Sequence, residues 1–444
     1  MGSFIVNTAD EQREMLKTIG YSSFADMLSV IPEGVRMREG SLDLEKGRSE
    51  MELDRFFSQL ADQNKVYKKI FRGAGAYDHY IPAIVQSVVS KEEFVTSYTP
   101  YQAEISQGIL QSIFEYQSMM AALTGMDVAN ASHYDGATSA AEAVGMTLTR
   151  KRHRAYLSSA LHPAYIEVIQ TYCFANDTEV RMVACRDGKT DMAQLREAMK
   201  DPEAACFVLG QPNFYGLLEE AEEISSIVHA AGAELIMSCE PTSLSLFKTP
   251  GEVGADIATG DGQALGMPLG FGGPYLGFMA TNKKNMRKLP GRIVGETRDQ
   301  KGERAFVLTL QAREQHIRRE KASSNICSNQ ALCALTAGAY LAALGADGLR
   351  EVARQSMSKA HYMADRLSEV GFRLRYQGDY YNEFVTDQDR PAQEVEAALD
   401  RAGILSGLPL KDGGLLWCCT EKNSKDDIDE VIAVLADGKK GSAK

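Results

Sequence analysis

A chain of 444 residues, 44% hydrophobic and 24% charged with a mean hydropathy of −0.25, is long enough to bury a large core and to fold as two or three lobes. Its 48 basic and 60 acidic side chains give a formal charge of −12, which argues against nucleic acid as the main partner. No secretory signal opens the sequence, and the longest uncharged run, residues 331–346, reads as a buried helix too short for a bilayer, so no membrane partner and a cytoplasmic location are expected.

Residues 8–72 place Met15, Ile19, Phe24, Met27 and Leu28 at helical spacing, and the pattern continues through residues 52–63. This predicts a helical N-terminal arm, residues 1–75, of the kind that wraps a neighbouring subunit. From about residue 127 to 281, short apolar strands alternate with amphipathic helices. Strands are expected at 155–161, 179–185, 204–211, 233–239, 255–260 and 274–281. Helices are expected from about 137, near 162–172 and 191–199, and over 219–232, where Ala221, Ile224, Val228 and Ala231 share a face and Gly232 stops the turn. The basic run at 150–154 reads as cations complementing the end of the helix that starts near 137. Such alternation implies a largely parallel sheet covered on both faces, with ligands at the carboxyl ends of its strands. Residues 76–330 thus form a large α/β domain. A long helix after residue 331 leads into a smaller α+β domain, residues 331–444, with strands at 372–376, 381–386 and 415–420 and a closing helix at 426–435.

The eight cysteines form no CxxC pair and read as free thiols; with no HExxH and no cysteine–histidine cluster, a metal site is not expected. Several polar stretches could carry chemistry. Residues 130–142 are a glycine-containing turn running into a helix, where Asp135, Thr138 and Ser139 either cradle a phosphate or cap the helix. His162 could stack on a flat heteroaromatic ring or be a hydrogen-bonded bystander. Glu240 follows a core strand, where a pyridinium nitrogen wants an acid, although a solvent-facing loop carboxylate reads equally simply. The densest stretch, residues 98–108, crowds Tyr98, Thr99, Tyr101, Gln102, Glu104 and Gln107 into a turn-to-helix junction, and Tyr77 and His79 lie in a similar setting. Helix capping with interface hydrogen bonds competes there with a ligand site. Against this framework stands an absence: residues 249–282, 34 in a row and glycine-rich, contain no lysine.

Segments 73–82, 97–117, 127–143, 254–277 and 290–332 together resemble the glycine dehydrogenase (decarboxylating) family, the P-protein of the glycine cleavage system. The resemblance covers nearly the whole chain, and its length and motifs are similar to subunit 1 (alpha) of the two-chain form. It implies the α/β architecture of fold type I pyridoxal phosphate enzymes, with a mostly parallel seven-stranded sheet. It also implies that the Schiff-base lysine belongs to the beta subunit, at the counterpart of residues 259–264, where this chain carries Gln263 and Ala264. Pyridoxal phosphate is then expected on the beta subunit rather than on this chain, leaving His162, Thr138, Glu240 and Gln263 as a vestigial pocket. The resemblance further implies that Tyr98, Thr99, Tyr101, Gln102 and Glu104, with Tyr77 and His79 behind them, form a wall of the partner's active site. The implied partners are the beta subunit, in a heterotetramer of two alpha and two beta chains, and lipoylated H-protein, which receives the aminomethyl group once glycine has lost CO2. Two rivals remain at this level: a non-catalytic scaffold, and an independent pyridoxal phosphate enzyme using Lys248 or Lys283.

Overall fold

The computed structural model describes residues 6–37 and 42–441, which fall into two compact units, one up to Val66 and the other from Tyr67 onward. In the first unit, α1 (Ala9–Thr18) and α2 (Glu50–Ala61) each start with a reciprocal capping box, Thr8 with Glu11 and Ser49 with Glu52. α2 has no buried residue, and its Met51, Phe56 and Phe57 are exposed, an apolar face without a cover. The helical pattern therefore ends at Ala61 rather than running to residue 72. Beyond it the chain extends, and Lys69–Ile70 pairs in parallel with Ile404–Leu405 of the C-terminal lobe.

The second unit is built in chain order from α3 (Ala83–Val89), α4 (Gln107–Thr124), β1 (Val128–Ala129), α5 (Gly136–Thr147), β2 (Arg154–Ser158), α6 (Pro163–Ala175) and β3 (Glu179–Val183). It continues through α7 (Met192–Ala198), β4 (Ala204–Gln211), α8 (Ala221–Ala230), β5 (Glu234–Cys239), β6 (Ile257–Asp261) and β7 (Gly277–Thr281). The seven strands form one sheet in the order β1-β7-β6-β5-β4-β2-β3. Neighbours from β6 to β3 are parallel, and β7 runs antiparallel to both β6 and β1. Every residue of β4 is buried, as a central strand covered on both faces requires. Its side chains alternate between two cores: Phe207 and Leu209 pack with Ile224, Val228 and Tyr340, while Cys206 and Val208 pack with Ala140, Val144 and Ile169.

The basic run at 150–154 does not cap α5. Arg152 donates to the carbonyls of Ala204 (2.7 Å) and Ala231 (2.8 Å), and Arg154 opens β2, paired with Glu179 and Asp201. Residues 293–309, to which no element was assigned from sequence, form an antiparallel hairpin, β8 (Ile293–Arg298) and β9 (Arg304–Thr309), packed on α4.

α9 (Ala331–Ser368) is long and apolar enough by composition to cross a bilayer. It is buried along one stripe only: Ala334, Thr336, Ala337 and Tyr340 are buried, with α3 and α4 packed against the helix, whereas Leu332 is 49% exposed. The buried-helix expectation for residues 331–346 therefore holds only along that stripe. Gly345, with non-helical φ and ψ, breaks it. The C-terminal lobe is a four-stranded antiparallel sheet of β10 (Phe372–Leu374), β11 (Glu383–Gln388), β12 (Leu408–Pro409) and β13 (Leu415–Cys418), ordered β10-β11-β13-β12 and covered by α10 (Ala392–Arg401) and α11 (Lys425–Gly441). Phe71, from the extended segment after the arm, is fully buried in the same core as Trp417, whose indole N–H donates to Thr386 Oγ1 at 2.9 Å.

Replacing Trp417 by alanine removes the largest fully buried side chain and strands the Thr386 hydroxyl. The C-terminal lobe should lose about 3–5 kcal/mol, read as faster amide hydrogen exchange in β11 and β13, with the central sheet unaffected.

Candidate functional site

A small cavity lies at the carboxyl ends of β5 and β6, where a parallel sheet presents its ligand site. His162, Phe214, Glu240, Asp261, Tyr77 and Glu383 line it, and its volume is about 70 Å³. That is room for roughly two water molecules.

The start of α5 lies behind Asp261. Asp135 Oδ1 accepts from the Thr138 N–H at 2.7 Å, and Thr138 Oγ1 accepts in return from the Asp135 N–H at 3.2 Å. Of the two readings of this turn, capping is the one the hydroxyl serves. Another first-turn donor, Gly136 N–H, points to Asp261 Oδ2 at 3.0 Å, and Asp261 Oδ1 accepts from Gln263 N–H at 2.9 Å. Burial, reinforced by the charge of Asp135 and opposed by these amides, pushes the Asp261 carboxyl up to about 6. Glycine is required at 136, because a Cβ there would sit 1.9 Å from the Tyr165 hydroxyl.

Gln263 stands opposite and is 1% exposed. Its oxygen accepts from Tyr77 N–H at 2.7 Å, and its nitrogen donates to the carbonyls of Tyr77 (2.9 Å) and Met267 (2.8 Å). The amide thus clamps both backbone groups of one residue in the segment that enters from the C-terminal lobe. The same segment is held by Glu383 at the start of β11, which accepts from Ala74 N–H at 2.6 Å and from the Tyr77 hydroxyl at 2.8 Å. Burial without a cation raises Glu383 to about 7. His162 Nδ1 accepts from Ala164 N–H, so its Nε2 carries the proton and donates to the Ala74 carbonyl at 2.9 Å. Gly75, at φ +100°, lies so close to this imidazole that a Cβ would approach Nε2 to 3.2 Å. His79 and the Tyr80 N–H share Glu421, each at 2.6 Å.

Glu240 is turned onto its own chain: it accepts from Thr242 N–H, Thr242 hydroxyl and Ser243 N–H at 3.0, 2.8 and 2.7 Å. A phosphorylated pyridine cofactor needs an amine, free donors at the helix start, an acid aimed at the ring nitrogen, and space. Gln263, Asp261, the folded-back Glu240 and the small cavity fail these requirements one by one, so the residues present do not fit that group. Lys248 is exposed and paired with Glu222 at 2.7 Å, and neither it nor Lys283 lines the cavity.

The remaining sequence-predicted residues lie elsewhere. Tyr98 is 89% and Tyr101 52% exposed, Gln102 and Glu104 are exposed, and Thr99 is half-buried, all on the strip leading through a 3₁₀ turn into α4. Gln107 is drawn inward, its amide exchanging hydrogen bonds with the Phe306 carbonyl (2.9 Å) and N–H (2.8 Å) as an extra rung on β9. The structure thus puts His162, Glu240 and Tyr77 in the wall of one cavity, keeps Gln263 behind Tyr77, Thr138 in its helix cap and His79 on Glu421 outside that wall, and leaves Tyr98, Thr99, Tyr101, Gln102 and Glu104 as a separate strip. Glu383 was missed by sequence reading; it sits on a C-terminal strand in no motif, and no local signal marks it.

The family model for the glycine cleavage system P-protein matches residues 2–435. The "probable glycine dehydrogenase (decarboxylating) subunit 1" of Desulfitobacterium hafniense is 45% identical over 441 residues, 97% of this chain and 98% of the relative. The protein of the same description from Carboxydothermus hydrogenoformans is 47% identical over 438 residues, again 97% and 98%. A crystal structure of glycine decarboxylase (P-protein) of the glycine cleavage system in inhibitor-bound form superposes with a TM-score of 0.92 at 40% identity, covering 98% of this chain and 100% of that one. Sphingosine-1-phosphate lyase from Burkholderia pseudomallei shares the fold at a TM-score of 0.67 and 14% identity, covering 92% and 93%. The architecture is that of fold type I pyridoxal phosphate enzymes.

The Glu383 carboxyl, raised to about 7 in the folded chain, is stabilising in its protonated form, so its contribution is complete below the unfolded value near 4.5 and is lost as pH rises through 7. Folding stability from this group should fall by roughly 1 kcal/mol between pH 6 and pH 8. Denaturation of wild type and Glu383→Gln at the two pH values should show that difference in the wild type only.

Proposed function

The chain belongs to the glycine cleavage system P-protein family, and from that premise we propose that it is the alpha subunit of a two-chain glycine decarboxylase whose pyridoxal phosphate sits on the beta subunit. The observation that carries this reading is the self-filled pocket. Residues 259–264, the counterpart of the beta subunit's lysine by the resemblance, carry Gln263 and Ala264 and no amine, and the Asp261 carboxylate takes the Gly136 N–H at the start of α5. A chain built this way contributes to catalysis through surfaces offered to a sister chain.

Pyridoxal phosphate supplies the electron sink that lets glycine lose its carboxylate as CO2. What this chain adds is position and shelter. Tyr98, Gln102 and Glu104 are exposed on the strip before α4, and Tyr101 joins them there with its hydroxyl accepting from Arg292, while Thr99 and Pro100 are half-buried and buried. In the assembled enzyme this strip lines the beta subunit's site, orients glycine by hydrogen bonds and excludes water. Tyr77 and His79 act from within, holding the neighbouring segment to Gln263, Glu383 and Glu421. The uncovered apolar face of α2 supports an arm that packs on a neighbouring subunit; it reaches Val66 rather than residue 75, because Lys69–Phe71 join the C-terminal lobe. Residues 76–330 and 331–444 make the large and small domains. The remaining assignments follow the family: a tetramer of two alpha and two beta chains, lipoylated H-protein as acceptor of the aminomethyl group, and a cytoplasmic location.

Glycine–CO2 exchange by the reconstituted two-chain enzyme tests the active-site role. Gln102→Ala and Tyr98→Phe should each lower turnover about tenfold or more, with assembly by sedimentation unchanged. Unaltered turnover in both intact complexes would reduce the chain to a scaffold.

A further inference from the structure

Beneath the exposed strip lies a second cavity of about 340 Å³, lined by Tyr98, Thr99 and Asn329 on one side and by apolar groups such as Phe94, Ile109 and Leu335 on the other. Arg292 lies in its wall. This arginine follows Gly291 in the turn into β8, its carbonyl held by Ala131 N–H at 2.8 Å, and the residue is only 7% exposed. A guanidinium has five N–H donors and keeps its charge at any physiological pH. Here its Nε is buried without a partner. Its one hydrogen bond among the described residues is a long one, 3.4 Å from Nη2 to the Tyr101 hydroxyl, with that ring 5.5 Å away. No carboxylate of the described residues comes within ion-pair distance of it.

The groups around it sharpen the point. Arg313 spends its terminal nitrogens on the carbonyls of Leu289 and Gly291, and its Nε is also unpartnered. Glu314 is the acid whose field overlaps both arginines; burial raises its pKa and one of its oxygens is unpartnered. His316 lies against Glu314 at 3.7 Å and edge-on to Tyr101. Two guanidinium groups against one carboxylate leave a net positive pocket in a chain of net charge −12. A desolvated cation with unused donors is costly unless an anion completes it.

We propose that Arg292 is an anion-binding residue that takes a negatively charged group, carboxylate or phosphate, of the small molecules bound at the beta subunit's active site, and so sets their affinity. The proposal rests on the reading that residues 98–104 line that site. The same cavity carries the Tyr98 and Thr99 hydroxyls and the Asn329 amide as further donors, and its apolar side keeps water from competing for the ion pair. Two sources offer the chemistry: the carboxylate of glycine and the phosphate of the cofactor. A pair to the glycine carboxylate would favour binding without favouring its loss as CO2, so it would act on KM rather than on kcat.

The test uses the two-chain holoenzyme with Arg292→Gln and Arg292→Lys, reading KM and kcat for glycine, the dissociation constant of pyridoxal phosphate, and assembly. If the substrate carboxylate is bound, Arg292→Gln raises the glycine KM about tenfold or more at unchanged kcat. If the cofactor phosphate is bound, the cofactor constant rises by that factor and excess cofactor restores turnover. Arg292→Lys recovers part of either loss. Both constants within about twofold of wild type in an intact complex overturn the proposal; when Gln102→Ala is still impaired, the wider reading survives that failure. Should Arg292→Gln fail to assemble, phenylglyoxal labelling of the wild-type complex, mapped by peptide mass spectrometry, decides. Protection of Arg292 by glycine or by inorganic phosphate supports the proposal. Equal labelling with and without them overturns it, and so does no labelling of Arg292 in the ligand-free complex, which leaves a side chain of the partner subunit as the anion.

Discussion

The hydrogen bond from the Gly136 N–H to the Asp261 carboxylate, with the Gln263 amide closed over Tyr77 beside it, decides what this chain can do. A helix start aimed at the carboxyl edge of a parallel sheet is a ready anion site, and its partial positive charge draws whatever acid stands nearest. Here that acid belongs to the chain. A phosphate would have to displace a buried carboxylate of like charge and then find no amine and too little space. The cavity at the strand ends has thereby become an internal joint. Gln263 and His162 from the large sheet and Glu383 from the C-terminal sheet converge on residues 74–77 and tie the lobes together through polar contacts.

With that cavity's polar groups committed to structure, the groups left for outside ligands lie elsewhere on the surface. The strip from Tyr98 to Glu104, which leads into α4, and Arg292 at the start of β8 are adjacent, joined through the Tyr101 hydroxyl, and the guanidinium has no acid partner among the described residues. Rigid elements below and uncommitted side chains above are what a donated active-site wall requires. The polar, half-open character of the strip matches a role completed by a second chain, and the bare apolar face of α2 fits the same picture of a protein shaped for assembly.

Much of this was legible in the sequence, for physical reasons. β4 was read to the residue because a strand buried on both faces is an uninterrupted apolar run. β7 was found as a strand, but its reversed direction is set by the tertiary return past β6 and leaves no local mark. The β8–β9 hairpin escaped because Glu296, Arg298 and Arg304 fall on the same face as the buried Val294 and Phe306 and interrupt its apolar pattern. The helical reading of residues 62–72 failed since Phe71 and its neighbours find their partners in the C-terminal lobe, about 330 residues away in sequence. At the site, the missing lysine and the positions of Thr138, His162 and Gln263 were readable from a shared framework. Glu383 and Arg292 were not, because a carboxyl without a cation and a guanidinium without an acid are facts of three-dimensional neighbourhood.

The central claim, that this chain holds no cofactor of its own while serving one held by its partner, meets its most direct test in the intact masses of both chains after borohydride reduction of the holoenzyme. The account predicts one reduced cofactor on every beta chain and an unmodified mass for this one. A stoichiometric cofactor adduct on this chain would contradict it.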